Sequence, residues 1–216
     1  MVTAASERLL TTMANRFVKL IFTLMTAFLL SSVGLVLYYR FFPVRLTPLM
    51  LIRQSEARRQ GYMLPIQQQW TPIEDISPEL IKAVVDSEDA RFFEHYGFDI
   101  DAIASAYHIN QANGHIVRGG SSISQQTAKN VFCTPARTYI RKAFEAYFTV
   151  LVEFLWGKER ILEVYLNVIE LGEGIYGVEA ASQYYFGHSA EVFSSAQIGQ
   201  LVRIIPRPLC QPIRCR

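Results

Sequence analysis

Chemistry is concentrated first in Ser87-Glu88-Asp89-Ala90-Arg91-Phe92-Phe93-Glu94-His95-Tyr96-Gly97-Phe98-Asp99. Glu88 follows Val84 by four residues and Val85 by three, so a helix through Leu80, Ile81, Val84 and Val85 carries it on its apolar face. A carboxylate in that place loses part of its solvation, which suits a proton acceptor. Taken alone, a capping or salt-bridged acid at a helix end is the commoner explanation for such a Glu. The surroundings shift the balance: Asp89, Phe92, His95, Gly97 and Asp99 crowd polar groups, aromatic packing and a permissive glycine into one turn.

A second constellation is Arg118-Gly119-Gly120-Ser121-Ser122-Ile123-Ser124-Gln125-Gln126-Thr127-Ala128-Lys129-Asn130. Two glycines allow a ligand to approach the backbone. Ser122 with Gln125 has the form of a capping box, and backbone N–H groups at such a helix start attract anions. Ser122, Gln126 and Lys129 fall on one helix face, offering hydroxyl, amide and ammonium groups to sugar hydroxyls and phosphate. An ordinary solvated helix face is the competing reading. Arg137, Arg141 and Lys142 follow. Glu145 lies four residues after Arg141, so a helical ion pair is its default explanation. The rest of that helix is apolar at core spacing (Phe144, Phe148, Leu151, Leu155, Trp156), which places Glu145 at the border of a buried face. Cations one turn from an acid suit a site that holds a pyrophosphate. Glu163 reads as structural. No His/Cys/Asp/Glu cluster has metal-ligand spacing, and Cys133, Cys210 and Cys215 form no framework, although Cys210 and Cys215 can pair.

The elements that must position these groups are mostly helices. Ser77 is an N-cap, followed by Pro78 at the first helical position and Glu79 at the positive end of the dipole. A helix after Asp99 has Ile100, Ile103, Ala104 and Tyr107 on one face and is broken at Asn113-Gly114. Lys158 to Asn167 reads as amphipathic, with Ile161, Leu162, Tyr165 and Leu166 inward. Gly172, Gly174 and Gly177 mark a loop. Val178 to Tyr185 is a small-residue helix ended at Gly187, and a last helix over Ala196 to Ile204 stops before Pro206. No stretch alternates as a strand should. A mainly α, lysozyme-like globule is expected.

The first 76 residues read as attachments. Leu20 to Tyr39 carries no charge and spans roughly 30 Å as a helix, the thickness of a bilayer core. Phe17, Tyr38 and Tyr39 sit near its ends, and no small-residue cleavage site follows, so a retained anchor is expected rather than a signal peptide. Arg8, Arg16 and Lys19 before it nearly balance Arg40, Arg45 and Arg53 after it, so charge does not orient the span. The expected organisation is a tail over 1–19, a transmembrane helix over 20–39, a stalk over 40–69 with a short polar helix near Ser55 to Gln60, and the main domain over 70–216. Of the 216 residues 50% are hydrophobic and 19% charged, which excludes global disorder, and a net charge of +2 gives no argument for nucleic acid.

Together these residues resemble the peptidoglycan glycosyltransferase family, the membrane-anchored polymerases of lipid II. The resemblance runs from about Trp70 to Pro208. It rests on Glu88-Asp89, Phe92, His95, Gly97 and Asp99; on Gly119 to Gln126 with Lys129-Asn130; and on Arg141-Lys142 with Glu145. Lys158, Ile161-Leu162-Glu163 and Tyr165-Leu166-Asn167 form a fourth block, and Gly177 to Ala181 with Tyr185-Phe186-Gly187 a fifth. No Ser-x-x-Lys motif occurs, so the chain resembles the monofunctional type. Ser122 stands where the family usually has threonine. The run from Pro206 to Arg216 is shorter than the family's ending, so part of the final packing and activity is expected to be missing.

The resemblance implies a lysozyme-like helical glycosyltransferase domain with one N-terminal transmembrane helix in the cell inner membrane, the domain on the periplasmic side. It implies Glu88 as base and Glu145 as a second essential acid. It implies substrate binding by Asp89, His95, Ser122, Gln126, Lys129, Arg137, Arg141 and Lys142. The implied partners are lipid II, the lipid-linked glycan strand, membrane lipid and other cell-wall synthesis proteins, with no nucleic acid. No cofactor is required, and a divalent cation, Mg or Mn, is conceivable at the diphosphate. Two rivals stand beside this reading: a lysozyme-like hydrolase of the same polymer, which also uses two acids, and a membrane-bound scaffold without activity.

Overall fold

The computed structural model describes residues 4–115, 119–136 and 138–209. Its contacts divide the chain into two units, Met1–Phe41 and Phe42–Arg216.

The first unit is the helix α1, Ala4–Phe41. The helix does not begin at the apolar span: it runs through most of the segment expected as a tail. Among the described residues it supplies the one stretch long and apolar enough to cross a membrane, Thr11–Phe41. Its large side chains, such as Phe22 and Leu30, are exposed, as an anchor's would be in the absence of lipid.

The second unit begins earlier than expected. In place of a stalk, residues 42–69 carry α2 (Pro48–Arg59) and β1 (Gln67–Gln68). Thr47 caps α2 by accepting from the Met50 N–H at 3.3 Å, Pro48 starts it, and Met50 and Ala57 are buried. Gln68 donates to the carbonyls of Val44 and Asn167, both at 2.9 Å. These contacts make the segment part of the globule, and α2 packs against α5.

The helices of the main unit follow the cap signals. Ser77 caps α3 (Pro78–Glu88), and Asp99 caps α4 (Ile100–Asn113), which ends on Gly114 in the left-handed region. Ser122 and Gln125 close a reciprocal capping box on α5 (Ile123–Phe132). Thr138 caps α6 (Tyr139–Leu155). Then come α7 (Lys158–Val168), α8 (Val178–Phe186) closed by Gly187, and α9 (Ser195–Ile204), whose capping box joins Ser194 and Gln197. The core centres on α7: Ile161, Leu162, Val164, Tyr165, Leu166 and Val168 are all buried, with α5 packed against both α6 and α7. Phe132 stacks on Phe148 at 4.5 Å between centroids.

The expectation of no strand fails. The glycine-marked loop carries the hairpin of β2 (Glu170–Gly172) and β3 (Ile175–Tyr176), antiparallel, and β1 adds to β3 in parallel to give a small sheet of order β1-β3-β2. Strands of two or three residues are too short to show alternation. Gly174 turns the hairpin at φ +74°, where an added Cβ would meet the Pro65 carbonyl oxygen at 2.6 Å. The apolar face of α4 expected from spacing is largely exposed. Ile100, Ile103 and Tyr107 are exposed, and Ala106 is the buried residue of that helix.

Candidate active site

Glu88 is the last residue of α3 and is half-buried. Its Oε2 accepts from Gln126 Nε2 at 2.9 Å. The same amide nitrogen reaches the Ser121 carbonyl at 3.4 Å, while Gln126 Oε1 accepts from the Tyr165 hydroxyl at 3.3 Å. With two acceptors at its nitrogen and a donor at its oxygen, the amide has one consistent orientation. Burial, and then the charges of Glu88 and Asp89, hold the Tyr165 pKa well above its ordinary value, so Tyr165 remains the donor. This relay fixes one carboxylate oxygen of Glu88. The other has no partner among the described residues. A fixed acid with one open oxygen can accept a proton from a bound hydroxyl.

Glu145 lies on the inner face of α6 with 2% of its surface exposed. Arg141 bonds one carboxylate oxygen and Lys142 the other. The ion-pair reading of this residue holds. As a second acid it is not an open proton acceptor; it fixes two cations. Lys142 Nζ also reaches Ser121 Oγ at 3.3 Å. Ser121 therefore touches both halves of the site, through its carbonyl to Gln126 and its hydroxyl to Lys142.

Lys129 follows Gln126 by one turn on α5. It has no hydrogen-bond or ion-pair partner among the described residues. Burial pulls its pKa below the ordinary 10.5; the Glu145 charge opposes this, Arg141 and Lys142 add to it, and Glu88 opposes it weakly. With Arg53, Arg141 and Glu170, Lys129 lines a cleft of about 380 Å³ that also takes in Asn130 and Cys133. Burial pushes the Cys133 thiol up to about 11, so it stays protonated. Arg137 and the pair Cys210 and Cys215 lie outside the described residues.

Three residues expected to contact substrate are turned inward. Asp89 is buried, with Oδ2 accepting from the Ile123 N–H at the start of α5 and Oδ1 facing His95 Nε2, each at 2.9 Å. His95 also has a buried side chain, 7% exposed, and its Nδ1 meets no partner among the described residues. Ser122 donates to the Gly97 carbonyl in addition to capping α5. These groups join the Glu88 segment to the helix bearing Gln126 and Lys129. Gly97 permits this contact at φ +86°, where an added Cβ would meet Thr149 Cγ2 at 2.7 Å. Gly120 serves packing rather than a ligand: its missing Cβ lets the chain pass the Ile103 Cα of α4.

Asp89, His95 and Asp99 also come within 4.8 Å of one another, a grouping their spacing did not suggest. Asp89 has both oxygens engaged, and Asp99 Oδ1 caps α4 at 2.9 Å from the Ala102 nitrogen, so the trio is hydrogen-bonded into the scaffold.

Sequence reasoning missed Arg53 and Glu170. Arg53 lay in the presumed stalk, and Glu170 in the presumed loop. Arg53 forks onto Glu170, Nε to Oε1 at 3.0 Å and Nη2 to Oε2 at 3.3 Å. It also missed the half-buried set in which Ser124 and Lys158 both bond Glu153 Oε1, with Lys158 Nζ 4.4 Å from the centre of the Phe92 ring. The Lys158 and Phe92 positions were visible in the motifs; their meeting was not.

A family model described as Transglycosylase matches residues 58–214. The chain is 52% identical over 181 residues to the biosynthetic peptidoglycan transglycosylase of Bdellovibrio bacteriovorus, covering 84% of this chain and 72% of that one. It is 49% identical over 200 residues to the protein of that name from Caulobacter vibrioides, covering 90% and 84%. Over 186 residues it is 46% identical to the one from Bacteroides thetaiotaomicron, covering 86% and 75%.

Proposed function

The chain belongs to the transglycosylase family, and on that premise we propose that it polymerises lipid II into β-1,4-linked glycan strands for the cell wall. The acceptor is lipid II and the donor is the growing strand on its polyprenyl diphosphate. Glu88 takes the proton of the acceptor GlcNAc 4-hydroxyl through its open oxygen. That hydroxyl oxygen attacks the MurNAc anomeric carbon with inversion, the bond to the diphosphate breaks, and polyprenyl diphosphate leaves. Lys129, Arg141 and Lys142, together with Arg137, meet the charge that develops on the leaving group. Glu145 holds Arg141 and Lys142 in place.

The observation that carries this reading is the joining of a fixed carboxylate to a cationic cleft through Gln126 and Ser121. A hydrolase has no diphosphate to hold, so the cations favour transfer. A divalent cation at the diphosphate would find few donors here: Glu145 is engaged by Arg141 and Lys142, and Glu170 by Arg53. No step above is routed through a metal.

The apolar helix α1 suits a single-pass anchor for an enzyme whose two substrates carry lipid tails. The same reading puts the anchor in the inner membrane and the main unit on its periplasmic side, with other cell-wall synthesis proteins as the expected protein partners. Phe93, Tyr96, Ile100 and Tyr107, all exposed, offer apolar contact to a lipid substrate.

The test is Glu88→Gln in the full chain, purified in detergent and incubated with labelled lipid II. The amide keeps the shape and cannot take the proton, so polymerisation falls by about 10²–10⁴-fold while melting stays within a degree or two of the parent. Near-normal glycan synthesis by a well-folded variant sinks the assignment.

A further inference from the structure

The cleft beside Lys129 has a wall that comes from α2, the first helix of the second unit. Leu49 and Arg53 of α2 line it together with Lys129 and Asn130 of α5, Cys133 just after that helix and Arg141 of α6, with Glu170 of β2 as the one acid in the lining. Three cations and one carboxylate line it directly; Glu56 and Glu145 pair with Arg53 and Arg141 from outside the lining, which leaves Lys129 as the lining cation without an ion-pair partner among the described residues and the cavity suited to an anion. Arg53 is the cation there whose present partner is also part of the lining. Its Nε and Nη2 fork onto Glu170, and Nη1 reaches Glu56 Oε2 at 3.2 Å. Arg53 keeps 30% of its side chain exposed, whereas Glu170 keeps 7%. Arg53 thus lines the cleft as a half-buried side chain beside a more deeply buried carboxylate.

Glu170 has a second group at hand. The buried Tyr176 hydroxyl lies beside it without meeting hydrogen-bond geometry to any described residue. Burial, and then the Glu170 charge, push the Tyr176 pKa up, so it keeps its proton. Tyr176 therefore stands as a donor directed at Glu170, close to hydrogen-bonding geometry already, and can hold that carboxylate when Arg53 turns away.

We propose that Arg53 is a further binding residue for the diphosphate in the Lys129 cleft, turning its fork from Glu170 onto the phosphoryl oxygens when the diphosphate is bound. A guanidinium presents two parallel N–H donors to a phosphate as it does to a carboxylate, so the exchange keeps its geometry. The inference rests on the reading of the cleft as the diphosphate site. It adds that α2, which follows the membrane helix closely in the chain, takes part in holding the leaving group.

The test uses the full chain in detergent and two probes, inorganic pyrophosphate and farnesyl diphosphate, with Kd measured by calorimetry. Variants are Arg53→Gln, Glu170→Gln, both together, and Lys129→Met. Arg53→Gln should weaken both probes alike, by about ten- to a hundredfold, the usual cost of a charged hydrogen-bond pair. Glu170→Gln should tighten both, because it frees the fork, and the double variant should show none of that gain. Weakening by both single variants would mean that the pair is only a bridge between α2 and the sheet, and would overturn the proposal. So would a Glu170→Gln gain that survives in the double variant, since bulk charge would then explain it, or a loss confined to farnesyl diphosphate, which would place the contact on the prenyl chain. If Lys129→Met weakens binding and Arg53→Gln does not, Arg53 fails while the cleft stands. If the parent binds neither probe, the cleft reading fails and this proposal with it.

Discussion

Replacing Lys129 by methionine should make the protein more stable and much less active. Lys129 is mostly buried, lacks an ion-pair partner among the described residues, and sits beside Arg141 and Lys142; Glu145, the nearest compensation, already has both oxygens on those two cations. Methionine keeps the length of the aliphatic stem and removes the desolvated charge. Relief of such a site is expected to stabilise by about 1 kcal/mol, within the usual range for removing a functional but unfavourable group. In a chain of 216 residues that raises Tm by about 2–4 °C. Polymerisation should fall by about 10²–10³-fold, because the cation is spent on the leaving group's charge.

The stability gain should also depend on pH. The native pKa of Lys129 lies below that of the unfolded chain, so between the two values the unfolded state binds more protons and the parent gains stability as pH rises. The advantage of Lys129→Met is therefore full below the native pKa and shrinks as pH climbs toward 10.5. Melting in detergent at several pH values, with lipid II turnover measured alongside, checks both halves. A Tm that falls by several degrees, or turnover that survives, refutes the account of Lys129 as an unpaired cation held ready for the diphosphate.

Two further substitutions probe the frame around the acids. Gly97→Ala combines a left-handed backbone with a Cβ 2.7 Å from Thr149 Cγ2, and should cost about 2–4 kcal/mol in thermal denaturation; an unchanged Tm would mean that the turn is not fixed as described. Tyr165→Phe removes the donor to Gln126 Oε1 but leaves the Gln126 bond to Glu88, so it should cost about 1 kcal/mol of stability and less than tenfold in kcat. A hundredfold loss in kcat would instead give Tyr165 a direct part in proton transfer.

The sequence was most readable where physics is local. Ser77, Asp99 and Ser122 mark helix starts because their side chains serve the N–H groups two or three residues on, and Gly114 and Gly187 mark ends because they take positive φ. What local pattern cannot supply is the partner across the fold. The face of α4 has the periodicity of a core helix, yet Ile100 and Tyr107 are exposed, because periodicity shows that a face is apolar and not what covers it. Residues 42–69 look polar and irregular, yet Gln68 and Arg53 are tied to Asn167 and Glu170 about a hundred positions away. The same limit applied to Asp89, His95 and Ser122. Their types suit a substrate, but Asp89 and Ser122 are bonded across to the Ile123 N–H and the Gly97 carbonyl, and the Nε2 of His95 is turned onto Asp89.

The two acids make the same point at the level of chemistry. Spacing put Glu88 on the apolar face of its helix and Glu145 at the border of one; Glu88 is half-buried at the end of α3 and Glu145 fully buried on α6. Their partners then separate them. Glu88 receives one neutral amide donor and keeps an oxygen open to a bound hydroxyl. Glu145 receives a guanidinium and an ammonium, one on each oxygen, which makes it the anion that keeps two cations beside Lys129. A carboxylate with an open oxygen and one with both oxygens bonded to cations cannot share a role, because the second has no site left to receive a substrate hydroxyl. Glu145→Gln should therefore act through Arg141 and Lys142, raising the lipid II KM and loosening pyrophosphate binding as they lose their anchor. Glu88→Gln should lower kcat and leave pyrophosphate binding near that of the parent. If Glu145→Gln instead lowers kcat with pyrophosphate affinity unchanged, Glu145 takes part in the proton chemistry, and this division of labour is wrong.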